Sequence, residues 1–205
     1  MFIQVLQGKV ADAAGLQRCM DRWNEELMPG AVERGFLGST MGTADDGTFI
    51  ALARFDSVDA ARTNSERPEQ GEWWAETAKC FDGEVMFMDC DGVQTWLAGG
   101  SDDAGFVQIM EGRSSDVTRM HELMNSHNDE VHAARPEIIG GLLMDAGDGR
   151  WVDAIYFTSE EAARRAETME MPADMKADMD AAMALSEGEP QFFDLHQPRL
   201  VSARR

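Results

Sequence analysis

The spacing of apolar residues changes early in the chain, from weak alternation over residues 2–10 to steps of three and four residues afterwards. Alternation of β-branched and aromatic residues predicts a strand, and the longer period predicts an amphipathic helix. Asp12 precedes this helix and is a residue type that commonly caps a first helical turn. Pro29 and Gly30 predict its end, because both residue types disfavour a helix interior. The apolar stripe of the helix comprises Leu16, Cys19, Met20, Trp23 and Leu27.

A hairpin and a second helical region follow. Asp46 and Gly47 separate two apolar segments and supply the positive φ angles that a tight turn needs, so the segments are predicted to pair. The second helical region is interrupted near Pro68 and then resumes. The resulting order, β-α-β-β-α-β, is that of a ferredoxin-like unit. The predicted segments are strands at residues 36–43 and 48–55, a helix at 72–81 and a strand at 84–90.

The whole pattern occurs twice, which predicts a tandem repeat. The segment FIQVLQG at residues 2–8 corresponds to FVQIMEG at residues 106–112. Two further pairs of blocks correspond after short slips in register. These pairs are residues 36–62 with 138–164, and GEVMFMD at 83–89 with GEPQFFD at 188–194.

A turn-forming segment, AGGSDDAG, lies between the two copies and has the composition of a linker. It separates two stretches of roughly equal length, each within the usual size range of a small domain. The predicted organisation is a first ferredoxin-like repeat at residues 1–97, a linker at 98–105 and a second repeat at 106–203.

Each predicted sheet would carry helices on one face only, and its strands are too apolar on both sides for the other face to meet water. In element order and duplication, the chain resembles the dimeric α/β-barrel superfamily, and its antibiotic-biosynthesis-monooxygenase-like members in particular. The resemblance implies an α+β fold in which two tandem ferredoxin-like repeats pack their antiparallel sheets into one barrel, a pseudo-dimer within one chain. Haem-degrading monooxygenases, small isomerases, decarboxylase-like proteins and stress-responsive proteins belong to the same superfamily, so fold alone does not fix function.

Composition restricts the partners of the chain. Its 205 residues carry a formal net charge of −20, which argues against nucleic acid and against anionic membrane surfaces. No apolar segment is long enough to span a bilayer and no leader sequence precedes the first strand, so a cytoplasmic protein is expected. The three cysteines lack CxxC spacing and predict free thiols. The expected partner is a small molecule, and association of further copies stays open.

Candidate binding residues in the first copy are mainly aromatic. Trp23 lies on the apolar stripe of the first helix, and Trp73 and Trp74 are adjacent on the second. Neighbouring helical residues point about 100° apart, so one of these two indoles should line a cleft or an edge. Gln4 and Arg54 are polar residues within apolar strands, which suits either an internal tie or a ligand contact.

In the second copy, His127 occupies the position that Trp23 has in the first. An imidazole in a closed cavity can act as an acid, a base or a ligand, although a hydrogen-bonded buried histidine is the commoner case. Asp153 and Tyr156, on a strand, complete the candidate catalytic set, although a buried ion pair would also explain such polar residues in an apolar strand. Gln108 corresponds to Gln4 as a candidate ligand contact. A methionine stripe, suited to an adaptable pocket or to a core, consists of Met171, Met175, Met179 and Met183.

A metal site is not expected. His121 and His132 share a helix face with two asparagines, a face that is expected to be solvated. Haem-degrading relatives place a tryptophan and an iron-ligating histidine on the second helix and an asparagine on the first strand. Trp73 or Trp74 matches the tryptophan and Gln4 approximates the asparagine, but neither second helix contains a histidine. No cofactor is therefore expected.

Three classes of function remain open. The first is a cofactor-independent, monooxygenase-like enzyme that holds an electron-rich aromatic or apolar substrate near O2 in a dry pocket. The second is a non-catalytic protein that binds a small molecule in the same pockets. The third is a structural or stress-related protein whose cores are filled. Motifs of hydrolases, kinases and metalloproteases are missing from the sequence.

Overall fold

A computed structural model describes residues 1–97, 99–168 and 172–203 of the chain. They form two compact units, Met1–Asp91 with the C-terminal segment from Arg199, and Gly92–Pro198. The strands are β1 (Phe2–Val10), β2 (Phe36–Thr43), β3 (Thr48–Phe55), β4 (Phe81–Cys90), β5 (Gly92–Leu97), β6 (Phe106–Arg113), β7 (Ile138–Asp145), β8 (Arg150–Phe157), β9 (Gln191–Leu195) and β10 (Arg199–Ser202). The helices are α1 (Ala13–Arg22), α2 (Met28–Val32), α3 (Val58–Ser65), α4 (Pro68–Thr77), α5 (Val117–Met124), α6 (Asn128–Ala134), α7 (Glu160–Glu167) and α8 (Ala173–Met183).

Each unit contains a five-stranded antiparallel sheet, which confirms the α+β, ferredoxin-like fold class. The strand orders are β10-β2-β3-β1-β4 and β5-β7-β8-β6-β9. Four strands were expected in each sheet, and the fifth comes from the other half of the chain. Within the described residues no strand pairing joins the two sheets. The single closed barrel that the resemblance implies is therefore not formed.

The two additional strands lie where the sequence patterns predict none. Strand β5 follows β4 directly but pairs with β7 in the second sheet, and β10 pairs with β2 in the first. The compact units thus cross the predicted repeat boundaries, since residues 92–97 pack with the second unit and Arg199–Ser202 with the first. Both strands are short and lie at sheet edges, so neither carries a strong alternation of its own.

Local signals set the hairpins. Strands β2 and β3 have the bounds expected from the sequence, and Gly47 between them has φ +82°. In the second unit the turn between β7 and β8 places Asp148 at φ 54° and Gly149 at φ 73°. Asp and Gly tolerate this left-handed region better than other residues, which explains why Asp-Gly marks both turns.

The first helical region differs from the expected single helix. Asp12 caps α1 by accepting a hydrogen bond from the Gly15 N–H at 2.8 Å, as expected. After α1 the chain forms a π-helical segment at Trp23–Leu27 and then continues as α2. Pro29 does not end the helix, because it lies in the first turn of α2, where a missing N–H costs little.

The second helical region begins and ends earlier than expected. Pro68 opens α4 at its first position, and a short 3-10 turn at Ala78–Cys80 closes it. Strand β4 starts at Phe81, so the predicted helix at residues 72–81 overran the true end. None of the described helices is both long and apolar enough to cross a membrane.

Candidate functional site

The first unit holds a cavity of about 310 Å³ between its sheet and its helices. Strand residues with odd numbers on β3, such as Ala53, line it, because alternate side chains of a strand face the same side. The aromatic lining residues are Trp23, Phe36, Phe49, Phe55, Trp73, Trp74, Phe81 and Phe87. This cavity has the volume and the apolar character of a small-molecule site.

Both adjacent tryptophans of α4 line the cavity, and they differ in burial, as expected for neighbouring helical residues that cannot both face the core. Trp73 is buried, and its Nε1 donates a hydrogen bond to the Cys19 carbonyl oxygen at 2.8 Å. Trp74 is half-buried and meets Phe87 edge-to-face at a centroid distance of 5.1 Å. The two indoles are 6.1 Å apart. They form one continuous wall because the sheet and α1 both contact α4.

Trp23 and Asn24 enter the cavity from the π-helical segment. The Trp23 Nε1 donates to the Gln70 Oε1 at 3.0 Å, which fixes the indole against α4. The Asn24 Oδ1 is buried without a hydrogen-bond partner among the described residues. π-Helical turns are rare and frequently occur at functional sites. Sequence reasoning missed Asn24, and its place beside Trp23 on the predicted helix was the available signal.

The two strand glutamines make the same contact in both units. Gln4 Nε2 donates to Asp89 Oδ1 at 3.0 Å, and Gln108 Nε2 donates to Asp194 Oδ1 at 2.9 Å. Each bond joins the first strand of a unit to the edge strand beside it. Both glutamines also line a cavity, so the internal tie is observed, and a contact with a ligand stays a prediction.

Arg199 is the one charged side chain in the described lining of the first cavity. It comes from β10, and its Nη1 donates to Asp21 Oδ1 at 2.5 Å. This ion pair orients the guanidinium at the wall of a cavity whose other described lining residues are uncharged. Sequence reasoning missed Arg199, because nothing local in the C-terminal segment indicates that it pairs with β2.

Arg54 does not line the cavity. It has an even number on β3 and therefore projects from the opposite face of the sheet to Ala53 and Phe55. The Arg54 Nη2 lies 3.4 Å from the carbonyl oxygen of Val201 on β10. The guanidinium also lies close to Gly38, since a Cβ atom added to that glycine would be 2.5 Å from the Arg54 Nη2. Arg54 thus ties β10 to the sheet instead of forming the pocket expected for it.

The second unit has a corresponding cavity of about 390 Å³. His127 lines it and precedes α6, with Nε2 3.2 Å from Asp178 Oδ2 and Nδ1 3.9 Å from Glu130 Oε2. Ser126 Oγ donates to the same Asp178 oxygen at 2.8 Å. The imidazole therefore links the start of α6 to α8. Among the expected methionine stripe, Met175 and Met179 line the cavity, Met183 is exposed, and Met171 lies outside the described residues.

The structure does not bring Asp153 and Tyr156 to this cavity. Tyr156 is buried on the opposite face of β8 from Ile155 and Phe157, which line the cavity. Asp153 is buried beneath α5, where its Oδ1 lies 3.1 Å from the His121 Nε2 and accepts the Met144 N–H at 3.2 Å. Only His127 of the three candidate catalytic residues lines a cavity.

His121 was expected on a solvated face, and this expectation is wrong. It is 1% exposed and faces Asp153 across the interface between α5 and the sheet. Burial raises the pKa of the Asp153 carboxyl above its ordinary value, and the contact with His121 opposes this shift. The described residues contain no cluster of three or more His, Cys, Asp or Glu side chains that could hold a metal ion.

No family model and no curated protein matches the chain. Solved structures do match it. A candidate monooxygenase from Lactobacillus acidophilus superposes with a TM-score of 0.74 at 13% identity, covering 98% of this chain and 95% of that one. A candidate monooxygenase from Fusobacterium nucleatum gives 0.75 at 11% identity, with coverage of 98% and 94%. An anthrone oxidase-like protein gives 0.68 at 11% identity, with coverage of 97% and 93%.

These identities are too low to transfer an activity, but the superpositions extend over nearly the whole chain. The chain therefore has the ferredoxin-like α+β fold of the antibiotic-biosynthesis-monooxygenase-like proteins, as the resemblance implied.

Proposed function

We propose that this protein is a monooxygenase-like enzyme that oxidises a small, electron-rich aromatic substrate in the cavity of the first unit, without a metal or organic cofactor. The observation that carries the proposal is the lining itself, in which eight aromatic rings surround a space of about 310 Å³ that contains one cationic side chain. The names of the superposable proteins support the same class of reaction.

The reaction balances without an external reductant. A methylene group activated by adjacent aromatic rings reacts with O2 to give a carbonyl group and water. The substrate first loses a proton and becomes a carbanion or phenolate, which donates electrons to O2. A carbon–oxygen bond then forms to give a peroxide, which takes up a proton. The remaining hydrogen on that carbon then leaves as a proton while the oxygen–oxygen bond breaks, and the second oxygen atom departs as water. The protein has to bind the anion, exclude bulk water and admit O2.

Arg199 is the group proposed to hold the substrate anion. Its guanidinium has five N–H donors and its pairing with Asp21 uses one of them in the observed contact. In an apolar cavity such donors stabilise a developing negative charge more strongly than water does. The side-chain amide of Asn24, whose Oδ1 has no partner among the described residues, supplies a second polar group.

The tryptophans are proposed to bind the substrate ring. Trp23 is fixed by Gln70 and Trp73 by the Cys19 carbonyl, so their indoles are held in place before a ligand arrives. Trp74 is less buried and completes the wall with Phe87. Gln4 contributes an amide from the sheet side. Arg54, Asp153 and Tyr156 have no part in this proposal because they do not line the cavity.

The described lining of the first cavity contains no His, Asp, Glu or Lys side chain that could remove the substrate proton. The anion must therefore form at the expense of the substrate's own acidity, with Arg199 favouring it. A pH profile of kcat/KM should consequently follow the pKa of the substrate and shift when a more acidic substrate is used. A profile that stays fixed across substrates of different acidity would instead indicate a base supplied by the protein.

Oxygen uptake with an anthrone-type probe tests the proposal. Arg199→Gln should lower kcat/KM by roughly 10- to 100-fold, the loss expected for a hydrogen bond to a charged group. Arg62→Gln is the matched control, because Arg62 is exposed, pairs with Asp59 at 3.7 Å and does not line the cavity. If the probe binds but no oxygen is consumed, the protein is a non-catalytic binder, and the enzymatic proposal is wrong.

A further inference from the structure

The cavity of the second unit differs chemically from that of the first, although the two occupy corresponding places. Trp23 and Phe36 of the first copy correspond to His127 and Ile138 of the second. Among the described residues, the aromatic side chains that line the second cavity are Trp96 and Phe157, against eight in the described lining of the first. Its described lining contains four methionines, Met110, Met124, Met175 and Met179, whereas that of the first cavity contains Met20 and Met41.

Methionine side chains are unbranched and flexible, so a wall built from them adapts to a ligand of variable shape. It lacks the flat, preset ring surfaces that favour stacking of a planar molecule. Leu123, Val131 and Leu143 extend the aliphatic surface. This lining is therefore suited to a flexible aliphatic chain better than to a fused aromatic ring system.

The polar groups of the described lining indicate the head group of such a ligand. Each charged residue is already paired: His127 with Asp178, Arg135 with Glu137, and Glu167 with Arg164 at 2.9 Å. Two buried atoms, Trp96 Nε1 and Asn125 Oδ1, have no hydrogen-bond partner among the described residues. An unpaired buried donor and acceptor cost free energy that a ligand can recover.

These two atoms belong to one wall. Asn125 Nδ2 donates to Gln94 Oε1 at 2.8 Å, and Gln94 lies two residues before Trp96 on β5. Side chains two residues apart on a strand share a face. A hydroxyl group both donates and accepts, so it is the neutral group that can pair with an amide oxygen and with an indole N–H.

We propose that the second cavity is a separate binding site for an aliphatic molecule with a neutral hydroxyl head. The site does not depend on the reaction proposed for the first unit. It assigns a distinct ligand class to the second half of the chain, with Asn125 and Trp96 recognising the head and the methionines enclosing the alkyl chain.

Methionine methyl NMR can observe both cavities at once. In protein labelled with [methyl-13C]methionine, 1-decanol should shift and saturate the signals of Met110, Met124 and Met179, and should leave Met20 and Met41 of the first cavity unchanged. 1-Naphthol should shift mainly the methyl signals of Met20 and Met41. If 1-decanol leaves the methionine signals of the second cavity unchanged, or shifts the signals of both cavities equally, the proposed site does not exist.

Two variants each place a phenylalanine ring in one of the two cavities, so that each variant is the control for the other. Ala166→Phe should abolish the response to 1-decanol, and Ala53→Phe should preserve it, because Ala166 lines the second cavity and Ala53 the first. Circular dichroism of both variants verifies that they fold. Retained 1-decanol binding in folded Ala166→Phe would contradict the assignment.

The head group is tested with analogues of equal chain length. 1-Decanol should bind about two- to tenfold more tightly than its methyl ether, which cannot donate, in line with a typical hydrogen bond. Asn125→Leu should remove this difference. Tighter binding of decanoate than of 1-decanol would show that the site takes an anion and would overturn the neutral head. Neither result depends on oxygen uptake, so failure here is distinguishable from failure of the proposed reaction.

Discussion

At the scale of single residues, the buried pair of His121 and Asp153 is expected to make the stability of the protein depend on pH. Burial raises the pKa of Asp153 above its ordinary value of 3.8, so the folded state binds a proton more readily than the unfolded state. The resulting stabilisation is present below pH 3.8 and is lost as the pH rises through the folded-state pKa. Asp153→Asn should therefore make the free energy of unfolding fall less as the pH rises above 3.8, as measured by urea unfolding at a series of pH values.

Asp153→Ala gives the contrasting result. It removes the partner of His121 and leaves the imidazole without its contact at 3.1 Å, which should destabilise the protein by about 1–3 kcal/mol. The first copy has Ala51 at this position, so an alanine there is compatible with the fold when no histidine faces it. Equal pH dependence in the parent and in Asp153→Asn would mean that the carboxyl does not titrate as expected.

At the scale of elements, the π-helical segment places Trp23 and Asn24 in the first cavity. The first copy has two more residues than the second between this segment and the hairpin, and the second unit forms a turn and α6 in the corresponding region. A π-turn holds one more residue per hydrogen-bonded ring than an α-turn. Deleting the exposed Glu25 should therefore convert the segment to an α-helix and rotate the preceding residues away from the cavity.

The deletion should weaken 1-naphthol binding more than tenfold while circular dichroism retains the native helix and strand content. Removal of one residue from the exposed turn that contains Gly147 is a control, because this turn lies in the other unit and does not line the first cavity. Unchanged 1-naphthol binding after deletion of Glu25 would show that the π-turn does not position the site.

At the scale of the whole molecule, each sheet is completed by a strand from the other half of the chain. Separately expressed residues 1–97 and 105–205 each carry one such strand, β5 or β10, away from its partner. The halves should therefore aggregate alone and associate on mixing, which sedimentation can measure. Two soluble, well-folded monomeric halves would contradict this dependence. The variant Arg199→Gln keeps β10 and separates the effect of the strand from that of its side chain.

The sequence by itself determined the features that depend on neighbouring residues. Asp-Gly set the hairpin turns, the apolar stripe set α1, and Asp12 set its cap, because turn geometry and helical periodicity act over a few residues. The matching patterns in the two copies predicted the order of the elements. The tryptophans of the first copy, Trp23, Trp73 and Trp74, indicated an aromatic lining for its cavity.

Only the tertiary structure decided which strands pair, which strand face lines a cavity and which helix face is buried. Arg199 reaches the first cavity because β10 pairs with β2, far away in sequence. Arg54 and Tyr156 project from the face opposite to the cavities, and His121 is buried because α5 covers Asp153. Strand exchange and burial arise from contacts between distant segments, and these contacts leave no periodic signal in the local sequence.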